Sequence, residues 1–354
     1  MSSPFFSVLM PVYNSQKSLR RAIDSVLNQS FHDFELIVVD DCSTDGSAAI
    51  LQEYRQRDNR VIVTRTQSNQ GVANARNEGM KLVRGRFLTF VDSDDYIEPD
   101  LFLKVKEQID SSSAQLVKYS VVEQYYDVEQ NFIGKKEVRL NDEILNSATD
   151  VRNAILPMEK LPLFGYLWNS FYDLKTVPKD FWNFDTNMHV NEDFMMNMRL
   201  IDRINIMACM SYVGYHYEKK VNNSLSTRQN DRYYECSKAK VEILLEKHAE
   251  WNLLTSSNKA EIYWLYIRIV YSTICRLLDD VSTRTVINKI KQIYHDSIFK
   301  SFYAANDILP FYKGKERVMY LLLQKKRTLS MLVLCRGISF VKKYFQVFFA
   351  KIKE

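Results

Sequence analysis

Short apolar runs alternate with amphipathic stretches over the first hundred positions of the chain. Phe6-Ser7-Val8-Leu9-Met10 predicts a buried strand, and Ser18–Gln29 places Leu19, Ile23, Val26 and Leu27 on one face of a helix. Strands follow at Glu35–Asp40, Val61–Arg65 and Arg86–Val91, with helices at Asp45–Arg57 and Val72–Val83 between them. That alternation predicts βαβ units, hence an α/β fold with a Rossmann-like, mainly parallel sheet flanked by helices. Ligands of such sheets bind beyond the carboxyl ends of the strands. Three polar turns fall there: Pro11-Val12-Tyr13-Asn14, the stretch from Asp40 and Asp41 to Asp45, and Asp92-Ser93-Asp94-Asp95. A single polar turn would be an ordinary helix cap. Three on one rim predict a site.

Gln115–Val122 predicts a further strand, after which a polar, poorly patterned stretch runs to Asn146. Residues 147–227 mix short helices and strands with many aromatics, including Phe164, Tyr166, Trp168, Tyr215 and Tyr217. Beyond about Gln229 the pattern is helical to the end: Leu244, Leu245, His248 and Trp251 fall in one helix, and Ile262–Leu278 forms a second. The expected division is 1–227, with parts 1–98 and 99–227, followed by a helical region over 228–354. The last helix repeats Met331, Leu334, Ile338, Val341, Phe345, Phe348 and Ile352, with Arg336, Lys342, Lys343 and Lys351 between them. A basic amphipathic helix with Phe345, Phe348 and Phe349 near its end fits a membrane interface. A helix packed on its own domain fits the same pattern, and Lys325-Lys326-Arg327 upstream favours the membrane.

Composition narrows the class. The 354 residues are 46% hydrophobic and 26% charged, with 9 Gly and 7 Pro, which excludes disordered and fibrous chains. Five cysteines without a C-x-x-C spacing point to reduced thiols, not a zinc site or a disulfide framework. No secretory leader or membrane-spanning run stands in the sequence, so a cytoplasmic location is expected. The net charge of +5 is uneven: residues 310–354 hold eleven Lys and Arg against Glu316 and Glu354, a balance of +9 that leaves −4 elsewhere. A basic tail on an acidic body predicts an anionic partner surface. No nucleic-acid-binding module accompanies that charge, so none is expected as partner. The helical tail would equally serve a homo-oligomer.

Asp92 and Asp94 at a strand end suit a hard cation, Mn2+ or Mg2+, that keeps positions open for phosphate oxygens. Tyr13 with Asp40-Asp41 suits a flat base, and Asp45 reads as a helix cap. The segment Asn69–Asn77 opens a helix whose amide groups and Arg76 would face phosphates. Asn69 and Gly71 read equally well as turn residues.

The blocks S-V-L-M-P-V-Y-N, V-V-D-D-C-S-T-D-G-S, N-Q-G-V-A-N-A-R-N-E-G and F-V-D-S-D-D span residues 7–95. In order and spacing they resemble family 2 of the inverting glycosyltransferases, whose domain has the A-type glycosyltransferase fold. Leu167-Trp168-Asn169-Ser170-Phe171-Tyr172 and Asn191-Glu192-Asp193-Phe194 resemble the acceptor-side motifs of that family. The resemblance implies nucleotide-sugar binding by Pro11, Tyr13, Asp41 and Asp92, with the metal on Asp94; Arg76 and Ser93 are expected at the same site. It implies Asp193 as catalytic base and Trp168, Asn169 and Glu192 on the acceptor side, where His216 is expected as well. Asp193 also opens a predicted helix, where an acid is favoured without catalysis. His216, expected in a strand, reads as structural or as a group reaching the metal or diphosphate.

Two departures stand out. Ser170 replaces the Lys or Arg common after Trp-Asn, and Asn191 replaces the Gly common before Glu-Asp; both leave the acceptor pocket open. The resulting expectation is a transfer of a hexosyl or N-acetylhexosaminyl unit from a nucleotide-diphosphate donor, UDP foremost, to a glycan or lipid-linked acceptor at the inner face of the membrane. An α-linked donor would give a β-linked product. A sugar nucleotidyltransferase is the alternative on the same fold, though Val12-Tyr13-Asn14-Ser15 lacks the Gly/Arg/Lys-rich loop such enzymes place after the first strand. A sugar-nucleotide-binding protein without turnover is the other.

Overall fold

The computed structural model describes residues 3–127, 129–188, 190–220, 233–278 and 281–344. The chain divides into two compact units, Met1–Arg228 and Gln229–Glu354. The first opens with β1 (Phe6–Val12), α1 (Leu19–Leu27), β2 (Phe34–Asp40), α2 (Ser47–Arg57), β3 (Val61–Arg65), α3 (Val72–Met80) and β4 (Phe87–Phe90). β1 pairs in parallel with β2 and β4, and β2 in parallel with β3. β1, β2 and β4 are buried along their whole length, as continuous apolar runs require of a sheet covered on both faces. α1 buries Leu19, Ala22, Ile23 and Val26, leaving Leu27 at the margin. α3 lies close on β1 because Gly79 has no side chain: a Cβ there would stand 2.7 Å from Leu9 Cδ1.

The unit continues with β5 (Tyr96–Ile97), α4 (Leu101–Ser112), β6 (Leu116–Tyr126), β7 (Phe132–Val138), β8 (Glu143–Leu145), α5 (Ala148–Asn153), α6 (Ile155–Lys160), β9 (Ser170–Asp173), α7 (Glu192–Leu200) and β10 (Met207–Lys220). All ten strands form one sheet in the order β3-β2-β1-β4-β9-β6-β10-β5, with β7 on β6 and β8 on β10. Its first half is parallel. β9 then joins it to β6 by antiparallel pairing on both sides, and β10 is parallel to β6. The stretch without a predicted pattern before Asn146 in fact contains β7 and β8. Most side chains of β7 are exposed or half-exposed, so the strand carries no apolar alternation to read.

The second unit is helical: α8 (Tyr233–Glu250), α9 (Ser256–Leu278), α10 (Thr283–Ile293), α11 (Ser297–Ala304), α12 (Gly314–Gln324) and α13 (Thr328–Tyr344). Trp251 falls just past α8 and not within it. α9 is the centre of the core, burying Tyr263, Tyr266, Ile267, Val270, Tyr271 and Ile274. Among the described residues no helix is long and apolar enough to cross a membrane.

α13 corrects the expected lipid-facing stripe. Met331 is fully buried in its own unit, where the Tyr294 hydroxyl lies 3.7 Å from its Sδ, and Leu334 and Ile338 are half-buried. Phe345, Phe348, Phe349, Lys351 and Ile352 lie outside the described residues, as do the side chains of Val341, Lys342 and Lys343.

Candidate active site

Parallel pairing sets the carboxyl ends of β1, β2 and β4 side by side, and the Asp41 N–H donates to Val12 O at 2.8 Å to tie two of them together. Strand order turns back at β1 and β4, the point at which open α/β sheets bind their ligands. Pro11 is buried at the end of β1, whereas Tyr13 is 46% exposed and free to cover a planar ligand. Asp41 is buried, and its Oδ1 accepts from Thr66 Oγ1 at 2.8 Å and from the Gln70 N–H at 3.2 Å. Its Oδ2 accepts from the Gly71 N–H at 2.7 Å. Much of the acceptor capacity of Asp41 therefore holds the loop that leads into α3. Asp45 accepts from the Ser47 N–H at 2.9 Å, one position outside the cap residue Gly46, in keeping with its capping role.

Asp41→Ala leaves the amides of Gln70 and Gly71 without their carboxylate, at a cost of about 1–3 kcal/mol for the freed groups. A lower denaturant midpoint in chemical unfolding, with an unchanged slope, is the expected result.

The acidic turn after β4 is held from two sides. Ser93 Oγ lies 2.6 Å from Ser15 Oγ, and Ser93 O accepts from Ser18 Oγ at 2.9 Å. Ser93 thus joins the turns after β1 and β4, and Ser15 and Ser18 are participants that no sequence pattern marked. Asp95 is buried behind the turn, accepting from the Tyr215 hydroxyl at 2.9 Å and the Glu218 N–H at 2.8 Å. Burial pushes the carboxyls of Asp92 and Asp95 above the usual range, Asp92 to about 6, and Asp94 nearby adds to both.

Arg76, expected to face phosphates, is paired with three carboxylates. It is buried, with its guanidinium 2.5 Å from Asp193 Oδ1, 3.3 Å from Glu192 Oε1 and 3.7 Å from Asp92 Oδ1. Burial alone would lower its pKa, but Asp193, Asp92 and Glu192 hold it above its ordinary value. Asp193 is mostly buried at the start of α7. Burial pushes its carboxyl up to about 8, with Arg76 pulling down and Glu192 and Asp92 pushing up. One arginine thereby brings Asp193 and the acidic turn to the same place, across 117 residues of sequence.

Tyr166, Trp168 and Tyr215 stack in series, at centroid distances of 4.4 and 4.3 Å. The Tyr215 hydroxyl also accepts from the Asp92 N–H at 3.1 Å, which links the stack to the acidic turn. Trp168 is 3% exposed and Asn169 fully buried. Asn169 therefore does not line a pocket; its amide donates to Leu163 O at 3.0 Å and braces the preceding loop. His216 stands apart from this stack. Side chains alternate along a strand, and Tyr215 and Tyr217 both pack on Trp168. His216 leaves by the other face, stacked on Tyr96 at 4.1 Å with Nε2 2.6 Å from Glu98 Oε1.

Both sequence departures have physical explanations. Asn191 has φ 66° and ψ 16°, a left-handed conformation that glycine adopts freely and asparagine tolerates. Ser170 lies opposite Lys118 in the β6–β9 register, and the Lys118 ammonium sits 2.7 Å from its Oγ. Lys118 is fully buried, also reaching Leu163 O, Tyr166 O and Asn169 Oδ1, and burial pulls it down to about 7. A basic side chain thus stands beside position 170 from the neighbouring strand.

Residues 7–165 match the Glycosyl transferase family 2 profile. The chain carries a family 2 glycosyltransferase domain. Over 96% of both chains it is 27% identical to a putative glycosyltransferase, EpsH, of Bacillus subtilis. A putative teichuronic acid biosynthesis glycosyltransferase, TuaG, of the same species is 41% identical over 30% of this chain and 41% of its own. Among solved structures, S. aureus TarS residues 1–349 in complex with UDP-GlcNAc superimposes with a TM-score of 0.65 at 19% identity, covering 96% of this chain and 91% of that one. The fold is accordingly the A-type glycosyltransferase fold followed by a helical region.

Proposed function

We propose that this protein transfers a sugar from an α-linked UDP donor to an acceptor hydroxyl by direct displacement, giving a β-linkage. The observation that carries the reading is Asp193, a carboxylate held by Arg76 at the edge of the acidic turn. Displacement at an anomeric carbon needs one base to take the acceptor proton, and a carboxylate with a raised pKa suits that task near neutral pH. The base of the nucleotide lies against Tyr13 and the loop that Asp41 holds. The acceptor enters past Tyr166 and Tyr217. UDP-GlcNAc in the TarS complex supports a hexosyl or N-acetylhexosaminyl donor. The teichuronic acid role in the name of TuaG supports a cell-surface glycan or its lipid-linked precursor as acceptor.

Among the described residues no group of three or more His, Cys, Asp or Glu side chains forms a metal shell. Mg2+ or Mn2+ that takes most of its shell from diphosphate and water needs only one or two carboxylates. Asp94, with Asp92 beside it, fits that need, and crowding among the acids of this turn is what a divalent cation relieves. When bound there, the metal would stabilise charge on the departing diphosphate. The basic tail would keep the enzyme on the cytoplasmic face of an anionic membrane.

Nucleotide release from UDP-, dTDP- and GDP-sugars with Mg2+ or Mn2+ tests this reading. Metal-dependent hydrolysis of a UDP-sugar, lost in Asp94→Ala, is expected. Absence of both turnover and metal-dependent nucleotide binding would overturn it.

A further inference from the structure

α13 presents two faces. One, with Met331, Leu332 and Cys335, is buried against its own unit, where Cys335 Sγ reaches Tyr271 O of α9 at 3.8 Å. The other carries exposed apolar side chains: Leu329 is 73% exposed and Val333 72%. At about 100° per residue these two and Arg336 fall within an arc of roughly 60° on the helix. Burying the opposite face within the unit is what leaves this one outward, so the apolar stripe is not an incidental scatter of exposed residues.

The charge around it selects the occupant. Lys325, Lys326 and Arg327 are exposed just before the helix, and Arg336 is exposed at the edge of the stripe. Residues 310–354 together carry a balance of +9. A second copy would bring the same positive charge against this one, which opposes self-association. An anionic lipid surface accepts both features at once, apolar side chains below the headgroups and cations among them.

We propose that the Leu329–Val333 face of α13, flanked by Lys325, Lys326, Arg327 and Arg336, is the surface by which the protein binds anionic lipid. This rests on the membrane reading above and replaces the Met331–Leu334–Ile338 stripe as the contact. The two residues to change, Leu329 and Val333, are exposed and lie outside the catalytic machinery, so folding and UDP-sugar hydrolysis should be unaffected.

The test is flotation of the full chain with vesicles of phosphatidylglycerol and phosphatidylcholine in equal parts, and with phosphatidylcholine alone. Wild type should float only with the anionic vesicles. Leu329→Ser/Val333→Ser should lose binding by about tenfold or more, as should Lys325→Glu/Arg327→Glu. Phe132→Ser, which alters an exposed aromatic of the first unit, should bind as wild type. Failure of the wild type to float would sink the membrane reading itself. Undiminished flotation of the Leu329/Val333 variant would instead reject this face alone. A dimeric wild type that this variant converts to monomer, with flotation unchanged, would assign the face to self-association and overturn the proposal.

Discussion

Asp193→Asn should lower sugar transfer by about 10²–10⁴-fold, the range by which a positioned base contributes, while UDP binding persists. The substitution is nearly isosteric and keeps an oxygen facing Arg76. The guanidinium also retains Glu192 at 3.3 Å and Asp92 at 3.7 Å, so the site should remain folded. What disappears is a carboxylate able to take the acceptor proton. Glu192→Gln provides the comparison: it removes a second partner of the same arginine, yet should cost far less activity because Glu192 is not the base. Initial rates of nucleotide release, with binding followed by calorimetry, separate the two. Equal losses in both variants would assign Asp193 to the ion-pair network and not to proton transfer.

Arg76→Met should have the largest effect on stability. It strips the cation from three carboxylates at once and leaves Asp193 and Asp92 in a mostly buried setting. Removing one partner of a buried ion pair costs about 3–5 kcal/mol, to be read from chemical unfolding. The pH dependence should shift in a defined direction. The carboxyl of Asp193 is raised to about 8 by burial despite the downward pull of Arg76. The base is competent only when ionised, so in the wild type kcat/KM should rise with pH through neutrality and level off above that value. Without Arg76 the downward pull is gone, and the acid limb moves to still higher pH. A limb that stayed in place, or moved down, would mean that another group sets it. Arg76→Lys keeps the charge but not the planar fork and should fall between the two.

The meeting of the three polar turns was legible because parallel strands place every such turn at the same rim. Asp41, Asp92 and Asp94 each follow an apolar run, and the structure gathers those ends at β1, β2 and β4. The role of Arg76 was not legible. Its helix start after Gly71 suggests phosphate, and its partner Asp193 lies 117 residues away, a distance no periodicity spans. Lys118 stands in the strand between Val117 and Tyr119, where a lysine has no pattern to announce four buried oxygen partners. Alternation along β10 separates His216 from Tyr215 and Tyr217, but packing on Trp168 decides which face meets the site. In α13 the sequence carries two apolar stripes. Only the packing of Met331 and Cys335 inside their own unit shows which stripe stays outside.

The central claim is displacement by a single base, and the stereochemistry of the product tests it most directly. Proton NMR of early hydrolysis, recorded before mutarotation, reports the anomer first released from an α-linked UDP-sugar. The account predicts the β-anomer, formed as Asp193 activates water in place of the acceptor. First release of the α-anomer would contradict it.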